Sequence, residues 1–330
     1  MILKNKKKME PTETTTKNKE VILKKDRAVW WLLLSFFLIS ASVFSILWVW
    51  PKTEKASAKK ILQTPTTTPK AVFFKDLEIE AKSFVIYDPQ TNQVIYSQDA
   101  ETARPLASLT KVMTALAATE LASPDDTTVV IDENALAEDG DIGLRPYSLW
   151  KLKNLLNLTL VSSSNDGAKA IANAVSAIST KDFVAEMNRQ AMEIGLSSAN
   201  FFNATGLDLP SGGAGAYGSP KDVARLFAYV LKNKPELLAA TKESHLKETS
   251  MENEVYYASN TNSLASEIPG LLASKTGYTQ AAGGNLAVVA NLGLNRPIVF
   301  VVMGSSQTGR FRDMEKLITK TQAYLANASH

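Results

Sequence analysis

Ala107-Ser-Leu-Thr-Lys-Val-Met-Thr-Ala-Leu116 begins two residues after Pro105 and places apolar side chains at Leu109, Val112, Met113 and Leu116. That is the i, i+3, i+4, i+7 spacing of a helix with one buried face. Ser108 and Lys111 stand at its start, three residues and so about one turn apart, which sets the amine beside the hydroxyl. The spacing alone carries no weight, because Ser57, Ser148 and Ser244 also have a lysine three residues later. Position separates Ser108 from these: a helix start brings backbone N–H groups and the positive end of the dipole beside a reacting carbonyl. A lysine with an ordinary pKa near ~10.4 accepts that hydroxyl's proton only where burial or nearby cations lower the value.

Working outward, Lys82–Tyr87 and Gln93–Ser97 flank Asp88-Pro-Gln-Thr-Asn92 and read as strand, turn, strand. Helices are predicted over Leu149–Val161, Asn165–Ala177, Lys181–Ile194 and Lys221–Lys232, the last burying Val223, Leu226, Phe227 and Val230. Ser219-Pro220 ahead of it reads as an N-cap with proline at the first helical position. Strands return at Leu272–Tyr278, Asn285–Asn291 and Ile298–Met303, and Arg310–Leu325 reads as a closing helix. The fold class is α+β, with one sheet assembled from both ends of the sequence around a helical middle. Short connections between the late strands make that sheet mainly antiparallel.

Two further short motifs lie on these elements. Ser163-Ser-Asn165 falls where one helix ends and the next begins, and by itself reads as an N-cap cluster. Lys275-Thr-Gly277 sits in a predicted strand, where a glycine commonly marks a bulge or a close approach to backbone or ligand. Gly213-Ala-Gly-Ala-Tyr-Gly218 matches a dinucleotide-binding glycine pattern literally, but it follows a loop and not a strand, so it reads as a flexible loop.

The order Ser-x-x-Lys, Ser-x-Asn, Lys-Thr-Gly is the signature of penicillin-binding proteins and serine β-lactamases. Ala107–Leu116, Ser164-Asn-Asp166, Met187-Asn188, Phe202-Asn-Ala-Thr-Gly-Leu207, Asn260-Thr-Asn262 and Lys275-Thr-Gly-Tyr-Thr279 resemble the D-alanyl-D-alanine carboxypeptidases of low molecular mass over about 82–302. The resemblance implies a D,D-peptidase fold, an antiparallel sheet flanked by helices with a helical subdomain. It implies that Ser108 attacks the penultimate D-alanine carbonyl of a peptidoglycan stem peptide, with Lys111 taking its proton and water later hydrolysing the acyl-enzyme. Ser163 would relay a proton to the leaving amine, and Asn165 would position Lys111 and the substrate amide. Lys275 and Thr276, with Gly277 and Tyr278 beside them, would hold the substrate; the terminal carboxylate, or that of a β-lactam inhibitor, would go to Lys275 and Thr276. The oxyanion hole would be the N–H groups of Ser108 and Tyr278. No metal or organic cofactor is implied.

The sequence departs from that family in three places. The second motif reads Ser-Ser-Asn-Asp-Gly, where glycine in the middle and alanine after the aspartate are usual. Ala216-Tyr-Gly-Ser-Pro220 replaces a stretch that usually contains His-Ser-Thr, so the cleft rim is expected to be reshaped. The chain is also too short past the third motif for the β-rich second domain and the carboxy-terminal amphipathic anchor of many members. A class A β-lactamase would need a deacylating glutamate after the second motif, and no Glu occurs between Glu193 and Glu236. A D,D-endopeptidase shares all three motifs, and a non-catalytic module that binds cell-wall peptides is the alternative of another kind.

Composition bounds the rest. The chain has 330 residues, 45% of them apolar, and no cysteine, which excludes a disulfide scaffold, a thiolate metal site and a cysteine nucleophile. Its two histidines, His245 and His330, exclude a multi-histidine zinc site and leave only His245, in a polar stretch that reads as surface, for a Ser-His-Asp triad. Residues 1–27 carry nine Lys or Arg against four acids, so this cytoplasmic tail is +5 while the remainder, with 27 basic and 29 acidic residues, is −2. The globular part therefore gives no reason to expect nucleic acid.

Residues 28–50 contain no charge, span about 35 Å as a helix and carry Trp30, Trp31, Trp48 and Trp50 at the two ends. They read as an uncleaved transmembrane anchor, N-terminus inside and the rest outside, although Ala56-Ser-Ala58 follows with the spacing of a signal-peptidase site. Residues 51–71, rich in Pro, Thr and Lys, read as a semi-extended linker, and the catalytic domain is expected over 72–330 at the outer face of a bacterial cell membrane.

Overall fold

The computed structural model describes residues 73–137, 142–293 and 295–328. The tail, the apolar segment and the linker fall outside the described residues, as does His330. Among the described residues, no helix is long and apolar enough to cross a membrane.

In chain order, β1 (Ser83–Asp88) and β2 (Gln93–Gln98) form a hairpin, followed by the short β3 (Arg104–Pro105) and helix α1 (Thr110–Leu121). Next come the ribbon strands β4 (Thr128–Val130) and β5 (Leu149–Lys151) and helices α2 (Leu152–Ser162), α3 (Asn165–Ser179) and α4 (Phe183–Ile194). Short strands β6 (Asn200–Phe201) and β7 (Ala216–Gly218) precede helix α5 (Pro220–Asn233) and the hairpin β8 (His245–Thr249) and β9 (Val255–Ser259). Three long strands, β10 (Leu271–Thr279), β11 (Gly283–Asn291) and β12 (Pro297–Ser305), lead into helix α6 (Gly309–Ala328).

The main sheet runs β10-β11-β12-β1-β2, antiparallel throughout, and the first strand pairs with the last through Ser83↔Met303, Val85↔Val301 and Tyr87↔Val299. The expected sheet from both ends of the chain is therefore present. Ile298–Met303 is a continuous apolar run because both faces of the sheet are covered. Val299, Val301 and Met303 join the core under the helical middle, while Ile298, Phe300 and Val302 alternate onto the other face against Met314, Leu317 and Ile318 of α6. Helix α1 crosses the centre with Thr110–Ala118 entirely buried, as its run of small and apolar residues requires.

Two expectations are corrected. Leu149–Val161 is not one helix: Leu149-Trp-Lys151 pairs with β4, burying Trp150, and the helix starts at Leu152. The glycine-rich 213–218 segment is a loop only in its first half, since Ala216–Gly218 is the central strand of a small sheet with β3 and β6. The polar stretch around His245, read as surface, does expose His245, and it contains β8, which pairs with β9. At α5 the expected cap is present as a reciprocal Ser219–Asp222 capping box with Pro220 in the first turn.

Candidate active site

Ser108 lies in a single 3-10 turn, Ala107–Leu109, immediately before α1, so Lys111 occupies the first turn of the helix proper. Ala107 is held at φ +49°, a left-handed conformation that costs an alanine energy, and the surroundings dictate it. Gly206 presses on that turn: at φ +80°, a Cβ on it would meet the Ala107 carbonyl oxygen at 2.0 Å. From the other side β10 approaches at Gly277, where a Cβ would lie 2.9 Å from the Leu106 carbonyl oxygen and 3.2 Å from the Ser108 nitrogen. Asn285 of β11 donates to the carbonyls of Pro105 and Leu106 at 2.9 and 3.1 Å, fixing the chain that leads into the turn.

Lys111 is 1% exposed. Its Nζ stands 2.9 Å from Ser108 Oγ, 2.6 Å from Asn165 Oδ1 and 2.8 Å from the Thr205 carbonyl oxygen. A neutral amine has two N–H bonds and one lone pair. Two of these three partners only accept, so they take the two N–H bonds and the lone pair is left for the Ser108 hydroxyl. The same three contacts satisfy an ammonium, so the amine can hold or release a proton without rearrangement. Thr205 reaches Lys111 because Asn203 closes its loop, donating to the Leu207 carbonyl and accepting from Gly206 N at 2.7 Å. The Asn-Ala-Thr-Gly run is thereby explained: one side chain ties the loop, one carbonyl meets the lysine, and one glycine permits the approach.

Ser163 and Asn165 come from the α2–α3 junction. Ser163 caps α2 in the left-handed region at φ +63°, and its Oγ accepts a 2.8 Å hydrogen bond from Lys275 Nζ. Ser164 is the true N-cap of α3, its Oγ accepting from Gly167 N at 2.9 Å, so the capping reading of this cluster and the functional one both apply. Both departures in this motif have local reasons. The middle serine caps the helix, and an added Cβ on Gly167 would meet Thr159 Oγ1 at 2.2 Å.

Lys275 is also 1% exposed and donates to the Thr276 carbonyl at 3.0 Å. Burial, then the charges of Lys111 and Arg310, hold its amine well below the usual lysine range. Repulsion between the two lysines is mutual: a proton on one disfavours a proton on the other. Thr276 Oγ1 shares a 2.6 Å hydrogen bond with Thr261 Oγ1, and Tyr278 is half exposed at the cleft rim.

The structure thus connects Ser108, Lys111 and Asn165 in one hydrogen-bonded cluster and Ser163 with Lys275 in a second. Backbone contact at Gly277 and the Lys111–Lys275 repulsion join the two. Thr205, Thr261 and Arg310 belong with them: the first two lie in the Phe202–Leu207 and Asn260–Asn262 runs without a role having been assigned to them, and Arg310 lies in no motif. Arg310 donates to the Gly277 carbonyl at 2.7 Å from the first turn of α6, a placement no local motif announces. His245 is exposed on β8 with its ring facing Ser259 Oγ at 3.4 Å, so it builds no triad with Ser108.

The sequence profile of the D-alanyl-D-alanine carboxypeptidase family of peptidases matches residues 66–307. The chain belongs to this family. It is 31% identical over 249 residues to the D-alanyl-D-alanine carboxypeptidase DacF of Bacillus subtilis (strain 168), an alignment covering 74% of this chain and 62% of that protein. It is 27% identical over 289 residues to the D-alanyl-D-alanine endopeptidase of Escherichia coli (strain K12), covering 86% of this chain and 88% of the relative. Among solved structures, penicillin-binding protein D2 from Listeria monocytogenes in its ampicillin-bound form superposes with a TM-score of 0.64 at 28% identity, over 74% of this chain and 98% of that one. The fold is the α+β arrangement of the penicillin-binding proteins.

Proposed function

We propose that the chain is a serine D,D-peptidase that removes the terminal D-alanine of peptidoglycan stem peptides, and that β-lactams acylate it at Ser108. The observation that carries this reading is the Lys111 amine, buried and donating to two obligate acceptors with its remaining position directed at Ser108 Oγ. Lys111 takes the Ser108 proton as Oγ adds to the penultimate D-alanine carbonyl, whose oxygen gains negative charge beside the Ser108 and Tyr278 backbone N–H groups. The tetrahedral species collapses with cleavage of the C–N bond. The leaving nitrogen receives, through Ser163 Oγ, the proton that Lys111 took from Ser108, which returns Lys111 to the neutral amine; Ser163 Oγ also accepts a hydrogen bond from Lys275 Nζ. Water then adds to the ester, its proton passing to Lys111, and the carboxylate product leaves with Ser108 reprotonated. Lys275, Thr276 and Arg310 supply cationic and hydroxyl groups for the substrate's terminal carboxylate.

The relatives named endopeptidases in Escherichia coli and Haemophilus influenzae support a second reading, in which the same acyl transfer cuts D-alanyl cross-links. For the remainder of the chain, residues 28–50 anchor the protein in a bacterial cell membrane, 1–27 stay inside, 51–71 form the tether, and 72–330 act outside.

The test is D-alanine release from a pentapeptide ending in D-Ala-D-Ala, with the full chain in detergent beside its Ser108→Ala variant. Release that disappears in the variant supports the carboxypeptidase. No release from a protein that penicillin still acylates at Ser108 moves the reading to the endopeptidase. Acylation that survives Ser108→Ala overturns both.

A further inference from the structure

The Tyr278 N–H lies in the most glycine-rich corner of the main sheet. β10 is an edge strand, and at this end Tyr278 pairs with Gly284 and Thr279 with Gly283. Gly277 itself is required by the close approach to the Ser108 turn. A glycine also leaves the peptide group that follows it the greatest freedom to rotate. The Gly277–Tyr278 peptide is thus where an oxyanion donor is needed and where the local backbone does least to hold one.

Alternate residues of a strand turn their backbone groups to opposite edges. Ser274 N leaves the sheet for Thr241 Oγ1 at 3.1 Å, and the Thr276 carbonyl leaves it for Lys275 Nζ at 3.0 Å. Tyr278 is next in that series, so its N–H faces the same outer edge, the edge that meets the Ser108 turn. In a trans peptide the carbonyl points opposite to the N–H. The Gly277 oxygen therefore lies at the inner edge, and there Arg310 Nη1 donates to it at 2.7 Å. Arg310 is 7% exposed, its Nε has no acceptor, and no carboxylate pairs with it among the described residues. A buried cation without a counter-charge costs stability, and this one is spent on a hydrogen bond to one carbonyl. The first turn of α6, which carries it, is itself tied down. Buried Asp313 accepts from Glu80 N and Ala81 N, each at 2.9 Å, and from Ser305 Oγ at 2.7 Å.

We propose that Arg310 is a positioning residue for the oxyanion hole: its guanidinium pins the Gly277 carbonyl, which holds the Tyr278 N–H toward the reacting oxygen and polarises the peptide so that this N–H donates more strongly. This role is separate from any contribution of Arg310 to the terminal carboxylate, and it rests on the D,D-peptidase reading for the place of the oxyanion.

Two small ligands separate the roles. The first is N-acyl-D-alanine with a boronic acid in place of its carboxyl group. Its boron takes Ser108 Oγ as a fourth bond while the hydroxyl proton passes to Lys111, leaving a negative tetrahedral centre and nothing where the terminal carboxylate would sit. The second is the matching N-acyl-D-alaninamide, whose carbonyl stays planar and which also lacks that carboxylate. Each is titrated, in the full chain in detergent, by its slowing of acylation by a fluorescent penicillin, beside kcat and KM for D-alanine release. In Arg310→Gln the boronate affinity and kcat should fall together by about tenfold to a hundredfold, with the amide affinity within about twofold. Unchanged boronate affinity overturns the proposal whatever KM does, because Arg310 then acts on the carboxylate alone. An equal loss for boronate and amide also overturns it, since that is the mark of a site that has come apart. Should Arg310→Gln fail to fold in thermal melts, Asp313→Asn keeps Arg310 and loosens the turn that carries it. Its boronate-to-amide affinity ratio should fall about threefold or more, and a ratio equal to that of the unaltered protein overturns the proposal. A falling ratio in a protein that releases no D-alanine keeps the role of Arg310 and removes the carboxypeptidase reading instead.

Discussion

Lys275 is held where a charge is costly, and its function depends on that placement. Burial is the first cause of its lowered pKa, and the charges of Lys111 and Arg310 add to it. In the unfolded chain the amine titrates at the ordinary value near 10.5. Between the lowered folded value and 10.5 the unfolded state binds more protons, so this residue's contribution makes stability rise with pH across that window. Below the folded value the cost is fully present. Lys275→Met is therefore expected to raise the melting temperature at neutral pH, by an amount equivalent to about 1–3 kcal/mol, while D-alanine release falls by about a hundredfold or more. The gain should narrow when the melts are repeated near pH 10. A lower melting temperature at pH 7 would mean that the bonds to Ser163 Oγ and the Thr276 carbonyl outweigh the desolvation. Thr261 makes a finer case. Each hydroxyl has a single proton, so a Thr276 hydroxyl that donates to the substrate carboxylate must accept from Thr261 Oγ1, 2.6 Å away. Thr261→Val should raise KM by about fivefold to tenfold with a smaller change in kcat, and Thr261→Ser should restore KM. A loss confined to kcat would assign Thr261 elsewhere.

At the scale of elements, the nucleophile is positioned by two backbones that touch its turn where only glycine fits. Gly277→Ala places a Cβ against the Leu106 carbonyl and the Ser108 nitrogen, both main-chain atoms that cannot swing aside. The expected result is a loss of penicillin acylation of about a hundredfold with only about 1–2 kcal/mol of stability lost, measured by stopped-flow acylation and thermal melts. Gly206→Ala combines a positive φ with a 2.0 Å collision at the Ala107 carbonyl, so it should cost more stability, about 2–4 kcal/mol. Equal stability losses at the two positions would contradict this ranking. These contacts also show what the sequence makes legible. The apolar period of α1, the continuous strand at Ile298–Met303 and the glycine in the third motif are each readable, because each constraint falls on the identity of the residue that meets it. Leu149-Trp-Lys151 reads as helix because its apolar residues merge with those of α2, whereas its conformation is set by pairing with β4 from twenty residues earlier. Thr205 enters the site through its carbonyl and Arg310 through a contact to a strand 33 residues away, and neither leaves a side-chain pattern in the chain around it.

The whole molecule closes its cleft from distant parts of one chain: β1 completes the sheet beside β12, and α6 covers the face opposite the helical middle. Every described element begins at residue 73 or later, and the segment before it is read from its sequence alone. That segment carries the net +5 tail, the 23 uncharged residues of 28–50 and a linker of 21 residues. Extended as polyproline II, the linker would reach about 65 Å, enough to carry the cleft well away from a bilayer surface toward substrate in the wall. Three outcomes are expected. The full chain should sediment with membranes and resist alkaline carbonate, since 23 apolar residues suffice to span the hydrocarbon core. A chain starting at residue 72 should be released to the supernatant with its penicillin acylation rate unchanged. Protease added to the outside of intact spheroplasts should remove the acylated domain and spare an epitope at the amino terminus, the orientation proposed from the basic tail. A full chain extracted by carbonate would instead point to cleavage after Ala58, and sequencing the amino terminus of the mature protein would locate the cut.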